Sequence, residues 1–115
     1  MPGEKILVVD DDLQVAAYVR LSFTLHGYEV DIVNDGRKAF NRAMEILPDA
    51  IIMDLKMPGI NGFRICEQLR SEPRTRAIPI IVVSGSWKNA QDRIRSIEAG
   101  ADDFLTKPFD AQELL

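Results

Sequence analysis

Three consecutive carboxylates, Asp10, Asp11 and Asp12, follow the apolar run 6–9, and a fourth, Asp54, ends another apolar run. Carboxylates that converge on one point repel each other unless a cation lies between them. Mg²⁺ is a hard ion that takes one or two carboxylates and a phosphate while keeping several waters. The acidic residues therefore predict a Mg²⁺ site, provided that the fold brings Asp54 to the triplet.

Two further residues suit phosphate chemistry. Lys107, directly before Pro108, can pair with a carboxylate and then with a phosphoryl oxygen. Ser84, at the end of an apolar run, offers a hydroxyl to another phosphoryl oxygen. Asp54 held near Mg²⁺ can attack phosphorus and form an acyl phosphate. Together these groups supply the nucleophile, metal, cation and hydrogen-bond donor of a phosphoryl transfer.

Each of these residues also has a purely structural interpretation. Asp12 can cap the helix that follows it while its two neighbours remain solvated. Asp54 can cap a loop, Lys107 can be a surface lysine, and Ser84 can belong to a strand-end turn. An acid at position 54 is not expected in the core. The functional interpretation gains weight only if one fold brings all of these residues to the same place.

Apolar runs alternate with helical patterns five times, which predicts a (βα)5 chain. The alternating pattern of the second strand indicates a sheet edge, and the continuous apolar runs of the third and fourth indicate central strands covered on both faces. Residues 55–59, after Asp54, have turn chemistry. The predicted strands are Lys5–Val9, Glu29–Val33, Ala50–Met53, Ile80–Val83 and Asp103–Thr106.

A helix is predicted after each strand. The first runs to about Leu25 and stops at Gly27, and the second ends at Pro48. The fourth ends at Gly100, and the fifth opens at Asp110. The apolar positions that mark the first four helices are Ala16, Val19 and Phe23; Ala39, Phe40, Ala43, Met44 and Leu47; Phe63, Cys66 and Leu69; and Ala90, Ile94 and Ile97.

Strict βα alternation implies right-handed crossovers and a doubly wound parallel sheet, with its ligand site beyond the carboxyl ends of the strands. The predicted fold class is α/β, a flavodoxin-like (βα)5 three-layer sandwich. Its five-stranded parallel sheet has the order 2-1-3-4-5. The last helix is truncated, since six residues, about 9 Å of helix, remain from Asp110 to Leu115.

Composition narrows the classes of function. The chain has 115 residues, enough for one domain, and 14 Lys and Arg against 18 Asp and Glu give a net charge of −4. This balance argues against direct nucleic-acid binding. The single cysteine allows no internal disulfide, and we find no signal peptide or membrane-spanning apolar stretch. We therefore expect a cytoplasmic protein without membrane contact.

Four segments occur in an order and spacing that resemble one known family over essentially the whole chain. They are 6–11, 52–59 with Gly62, 79–84, and 99–109. The family is that of response-regulator receiver domains, the CheY-like phosphoacceptor domains of two-component signalling. Each segment is weak evidence alone, and together they are highly specific.

The resemblance implies a role for three of the four acidic residues. Asp54 is expected to be the phosphoacceptor, and Asp10 and Asp11 are expected to hold Mg²⁺ together with it. The backbone carbonyl of Lys56 is expected to complete the protein ligands of the metal. The domain would catalyse only its own phosphorylation and dephosphorylation, without being a turnover enzyme.

The resemblance also implies a switch and a set of partners. Ser84 and Lys107 would bind the phosphoryl oxygens, and Ser84 with Phe104 would couple phosphorylation to an output surface. The donor would be a phosphohistidine of a sensor histidine kinase or a phosphotransfer protein. Residues 1–115 would be a receiver domain cut from a longer protein, with an effector after Leu115 or a place in a hybrid kinase. Phosphorylation could also produce a homodimer.

Three alternatives stay open at this point. A haloacid-dehalogenase-type phosphatase also uses an aspartate nucleophile and Mg²⁺. It requires an Asp-x-Asp motif followed by a Gly-Thr-like turn, whereas Leu13 and Gln14 follow the acidic triplet here. A flavodoxin-like FMN protein requires a Ser/Thr/Gly phosphate loop where this chain is acidic. A receiver relative that is not phosphorylated would have lost one of the site residues, all of which are present here.

Overall fold

The structure, a computed structural model, describes residues 3–54, 56–57, 60–84, 100 and 103–106. Within those ranges the strands are β1 (Lys5–Val9), β2 (Glu29–Val33), β3 (Ala50–Asp54), β4 (Lys56–Met57), β5 (Ile60–Asn61), β6 (Ile80–Ser84) and β7 (Asp103–Thr106). A five-stranded sheet has the order β2-β1-β3-β6-β7, with every neighbouring pair parallel. Strands β4 and β5 form a separate antiparallel pair. Strands β6 and β7 are the fourth and fifth strands predicted from the sequence. The predicted order 2-1-3-4-5 and the predicted fold class are therefore confirmed.

Helices cover both faces of this sheet. In the described part of the chain they are α1 (Leu13–Leu25), α2 (Ala39–Ile46) and α3 (Gly62–Ser71), with a short 3-10 helix at Gly36–Lys38. No helix in the described part of the chain has the length and apolar character needed to cross a membrane.

The core consists of two layers because successive side chains of a strand point to opposite faces. Leu7 and Val9 of β1 pack in one buried cluster with residues of α2 and α3. Ile6 and Val8 pack in the other cluster with the buried stripe of α1, which is Ala16, Val19 and Phe23. Residues 50–53 and 80–83 of the central strands β3 and β6 are apolar throughout, as predicted, and β2 lies at an edge with a half-buried pattern.

The predicted end of the first helix is confirmed. The backbone N–H of His26 donates to Phe23 and Thr24 carbonyls, and Gly27 adopts a φ of 89°. Glycine takes this left-handed conformation without the clash that a Cβ atom would cause. The helix therefore stops where the sequence places its glycine.

The predicted end of the second helix is wrong by one residue. Helix α2 ends at Ile46, and Leu47 follows in the left-handed region with a φ of 46°. Leu47 therefore leaves the helical stripe, and 47% of it is exposed. The reason is Pro48, since the residue before a proline is driven out of the helical region.

Strands β3 and β6 are each one residue longer than predicted, because Asp54 and Ser84 still pair in the sheet. The predicted helices at 90–97 and from Asp110, with the truncation of the latter, lie outside the described residues.

Candidate functional site

Asp10 leaves β1 while its backbone is still bonded to the sheet. Its N–H donates to the carbonyl of Val33 at 3.0 Å, which continues the β1–β2 pairing by one residue. Its carboxylate accepts the N–H of Asp12 at 2.9 Å, and the residue is 2% exposed. Asp10 is therefore a fixed, buried acid at the carboxyl edge of the sheet.

The next two acids have different surroundings. Asp11 is exposed. Asp12 is the N-cap of α1, and its carboxylate accepts the N–H groups of Gln14 and Val15 at 3.0 and 3.3 Å. These bonds satisfy two donors that the first turn of a helix leaves without an intrahelical partner. The structural interpretation of Asp12 is thus confirmed.

Asp54 is the last residue of β3 and is 7% exposed, so the expectation that it lies outside the core is wrong. It is buried because β3 is a central strand, flanked by β1 and β6, and Asp54 still pairs with Val83. On the other side Val9 pairs with Met53, so Asp10 and Asp54 are the next residues of two adjacent parallel strands.

This register brings three carboxylates together. One oxygen each from Asp10, Asp11 and Asp54 lie within 4.8 Å of one another, with two of the residues buried. Three such oxygens form a hard, anionic ligand set that suits a divalent cation with oxygen ligands. The convergence predicted from the sequence is therefore present in the structure.

The chain forms a small hairpin directly after Asp54. Lys56 and Met57 pair with Asn61 and Ile60 as strands β4 and β5. This places the backbone of Lys56 two residues beyond Asp54, at the same edge of the sheet. The residue types alone predicted only a turn here. The Pro-Gly pair between two short segments was the available signal for a hairpin.

Two of the other predicted residues belong to strands at the far side of Asp54. Ser84 ends β6, one residue beyond Val83, the partner of Asp54. Phe104 lies in β7 opposite Val82, two residues before the strand ends at Thr106. The backbone of Ser84 therefore reaches the acidic edge. Lys107 lies outside the described residues.

A further acid lies just past the end of β2. Asp35 caps the 3-10 helix, accepting the backbone N–H of Arg37 at 3.0 Å and its guanidinium at 3.1 and 2.8 Å. The side-chain bonds, followed by the backbone bond, lower the pKa of Asp35 from 3.8 to about 2. Asp35 is therefore engaged by Arg37 and does not belong to the three-carboxylate group.

Comparison with known proteins decides which family carries this arrangement. The family profile of the response regulator receiver domain matches residues 6–115. The chain belongs to the response-regulator receiver family. It is therefore a receiver domain of two-component signal transduction, and the predicted family and class of function are confirmed.

Relatives of the receiver domain agree with this assignment. The DNA-binding dual master transcriptional regulator RpaA of a Synechocystis species is 39% identical over 111 residues, covering 96% of this chain and 46% of RpaA. Chemotaxis response regulator CheY4 of Vibrio cholerae is 29% identical with a TM-score of 0.89, covering 97% of this chain and 92% of that structure. The chain spans about half the length of curated relatives such as RpaA.

A second solved structure is a domain of a kinase. The receiver domain of sensor histidine kinase PA1611 from Pseudomonas aeruginosa is 32% identical, with a TM-score of 0.87. The match covers 97% of this chain and 91% of that structure. Receiver domains similar to this one therefore occur in proteins with different names and outputs.

The receiver fold thus brings Asp10, Asp11 and Asp54 together, and it brings the backbone of Ser84 to the same edge. The individual roles of these residues, of Lys56 and of Phe104 stay predictions. Family membership disfavours the two alternatives from other families, the dehalogenase-type phosphatase and the FMN protein.

Proposed function

We propose that this receiver domain accepts one phosphoryl group on Asp54 in a Mg²⁺-dependent reaction. The observation that carries the proposal is the meeting of Asp54 with Asp10 and Asp11 within 4.8 Å. Asp54 ends a central strand, so its backbone is held in place by the sheet. An ionised carboxylate at a metal site is a competent nucleophile toward phosphorus.

The proposed reaction exchanges one bond for another. A carboxylate oxygen of Asp54 forms an O–P bond while the P–N bond of a phosphohistidine breaks. The electron pair stays on the imidazole nitrogen, which takes a proton from water. No general base is required, because the nucleophile is already ionised. The product is an acyl phosphate, and the transfer depends mainly on positioning and charge neutralisation.

Mg²⁺ fits the residues that would hold it. The carboxylates of Asp10, Asp11 and Asp54, with the backbone carbonyl of Lys56, offer only hard oxygen ligands, which Mg²⁺ prefers. The receiver domain of PA1611 has a magnesium ion coordinated in its active-site cleft, which supports this choice of metal. When bound, the ion would neutralise charge on the phosphoryl oxygens.

The remaining roles belong to the same proposal. Ser84 and Lys107 bind the phosphoryl oxygens, and a cation with a hydroxyl is the pair of donors that such oxygens require. Ser84 and Phe104 then couple the added charge to a changed output surface. The backbone of Ser84 at the acidic edge supports its part in this scheme.

The partners follow from the reaction. The donor is a phosphohistidine of a sensor histidine kinase or phosphotransfer protein in the cytoplasm. The domain modifies only itself and does not turn over a substrate. Its output passes to an effector domain, as in a transcriptional regulator such as RpaA, or stays within a hybrid kinase, as the sensor kinase receiver illustrates. Phosphorylation can also act through a homodimer.

The test uses a small phosphodonor, acetyl phosphate, with Mg²⁺ and intact-mass measurement. We expect the protein to gain one phosphoryl group, and we expect Asp54→Ala to gain none. Asp12→Asn is the matched control, because it removes an acid of the triplet while asparagine caps a helix equally well. It should be phosphorylated at the wild-type rate.

Two outcomes contradict the proposal. Modification of Asp54→Ala at the wild-type rate would refute Asp54 as acceptor. An unmodified wild-type protein, with Mg²⁺ and a phosphodonor in excess, would leave the chain as a receiver relative that is not phosphorylated.

Fluorescence of Trp87, the single tryptophan, during addition of Mg²⁺ and then beryllofluoride tests metal binding and activation in one sample.

A further inference from the structure

The guanidinium of Arg70 joins segments that are far apart in the sequence. Arg70 lies in the last turn of α3. Its Nη1 donates to the carbonyls of Arg76 and Ile78 at 2.7 and 2.6 Å, and its Nε donates to the carbonyl of Gly100 at 2.7 Å. Residues 76 and 78 lead into β6, and Gly100 precedes β7 by three residues. One side chain thus ties together the starts of two adjacent strands.

The absence of a side chain at Gly100 allows this contact. A Cβ atom at this position would lie 2.4 Å from Cγ of Arg70, closer than real atoms approach. Its φ of 110° is also a conformation that other residues rarely adopt. The stem of Arg70 therefore crosses the backbone at the position where a side chain is absent. Three carbonyl acceptors in a fixed arrangement suit the rigid, forked donor set of arginine, which lysine lacks.

The strands that Arg70 joins end at the acidic edge of the sheet. Strand β7 lies at the sheet edge, with β6 as its strand neighbour, and their last residues, Ser84 and Thr106, are register partners. In the sequence, Lys107 follows Thr106 directly. Because an extended strand has a nearly fixed rise per residue, the place where β7 begins relative to β6 sets where it ends.

We infer that Arg70 is a positioning residue for the phosphoryl transfer, which it serves from the opposite end of the sheet. By fixing the start of β7 against β6, it sets where the ends of these two strands, Ser84 and Thr106, lie relative to Asp54. This inference rests on the proposed function. It distinguishes the acidic residues, which lie on or beside β1 and β3, from the ends of β6 and β7, since the three carbonyl bonds of Arg70 go to the segments that precede β6 and β7.

The test compares metal binding with phosphorylation in Arg70→Lys and Arg70→Met. Mg²⁺ affinity should stay within about twofold of wild type, while the rate with acetyl phosphate at saturating Mg²⁺ should fall about tenfold, since a misplacement of a full 1 Å can cost about a hundredfold. Gly100→Ala should have the same effect. The double variant Arg70→Met, Gly100→Ala should be slowed by less than the product of the two single effects, because both substitutions disturb the same interaction.

Arg74→Met is the control, since Arg74 is an exposed arginine paired with Glu72, and it should keep the wild-type rate. Phosphorylation of Arg70→Lys and Arg70→Met at the wild-type rate would overturn the inference while leaving the proposed function intact. A parallel loss of Mg²⁺ affinity and rate in both variants would overturn it too, because it would indicate a general structural role. Absence of phosphorylation in the wild type would refute the proposed function itself.

Discussion

At the scale of single residues, one step along the chain changes what a carboxylate does. Asp10 is buried at the edge of the sheet, Asp11 is exposed, and Asp12 caps α1. The sequence predicted that acids meet here, but it did not decide which of the three turns inward. That choice depends on the bond from Asp10 to Val33 at the end of β2, a long-range contact that local propensity does not contain.

The contact between Asp35 and Arg37 predicts how one carboxylate contributes to stability as the pH changes. Hydrogen bonds from the Arg37 side chain and backbone lower the pKa of Asp35 to about 2. Because the folded pKa lies below the ordinary value of 3.8, ionised Asp35 stabilises the fold above about pH 4, and this contribution is lost as the pH falls toward 2. In Arg37→Ala the pKa should rise toward 3.8, while the backbone N–H keeps it somewhat below.

A carboxyl ¹³C NMR titration of Asp35 measures this shift directly. Lys38→Ala is the control, because Lys38 makes the smallest contribution to the lowered pKa, and its titration curve should lie close to the wild-type curve. An unchanged pKa in Arg37→Ala would show that the side-chain bond is absent in solution.

At the scale of elements, prediction succeeded where the chain marks its own boundaries. Strands β1 and β2 and helix α1 have the predicted ends, because Asp12 caps α1 and Gly27 stops it. Prediction failed at Leu47, where the apolar period continues past the true end of α2. It also missed strands β4 and β5, since two-residue strands carry too little pattern to be recognised.

The left-handed conformation of Leu47 predicts that glycine is better tolerated than alanine at this position. Replacing Leu47 by alanine or by glycine removes the same half-buried side chain, but alanine keeps a Cβ atom in the left-handed region, where φ is 46°. Leu47→Gly should therefore have a free energy of unfolding about 1 kcal/mol above that of Leu47→Ala. Chemical denaturation of the two variants measures the difference.

Leu21 provides the comparison within a helix. It lies inside α1 and is 59% exposed. There Leu21→Ala should be the more stable variant by about 1 kcal/mol, because glycine is a poor helix former. The two positions should thus rank alanine and glycine in opposite order. The same order at both would rule out a left-handed Leu47.

At the scale of the whole molecule, the sheet order decides where the chemistry lies. Strands β1 and β3 are neighbours although a helix, a second strand and another helix separate them in the chain. The βα alternation predicted this meeting of their carboxyl ends. It did not predict the ties at the opposite end of the sheet, such as that of Arg70 to Gly100, because they depend on the packed positions of loops.

The same topology brings like-charged carboxylates together, and bound Mg²⁺ would offset their repulsion. Two carboxylate charges within 4.8 Å of each other repel by on the order of 3 kcal/mol or more at an effective dielectric constant of about 20. Asp10→Asn removes this charge and keeps an oxygen for the N–H of Asp12. In the presence of a chelator, we expect it to raise the free energy of unfolding by about 1 kcal/mol.

With saturating Mg²⁺, the wild type should instead be more stable than Asp10→Asn. At one hundred times the dissociation constant, a bound ligand adds about 2.7 kcal/mol of stability, which the wild type should gain and Asp10→Asn should largely lack. Asp49→Asn is the matched control, since Asp49 likewise accepts a backbone N–H, from Lys5 at 2.7 Å, but at the opposite end of the sheet. It should follow the wild type under both conditions. If Mg²⁺ stabilises wild type and Asp10→Asn equally in thermal unfolding, the ion is not bound by these carboxylates.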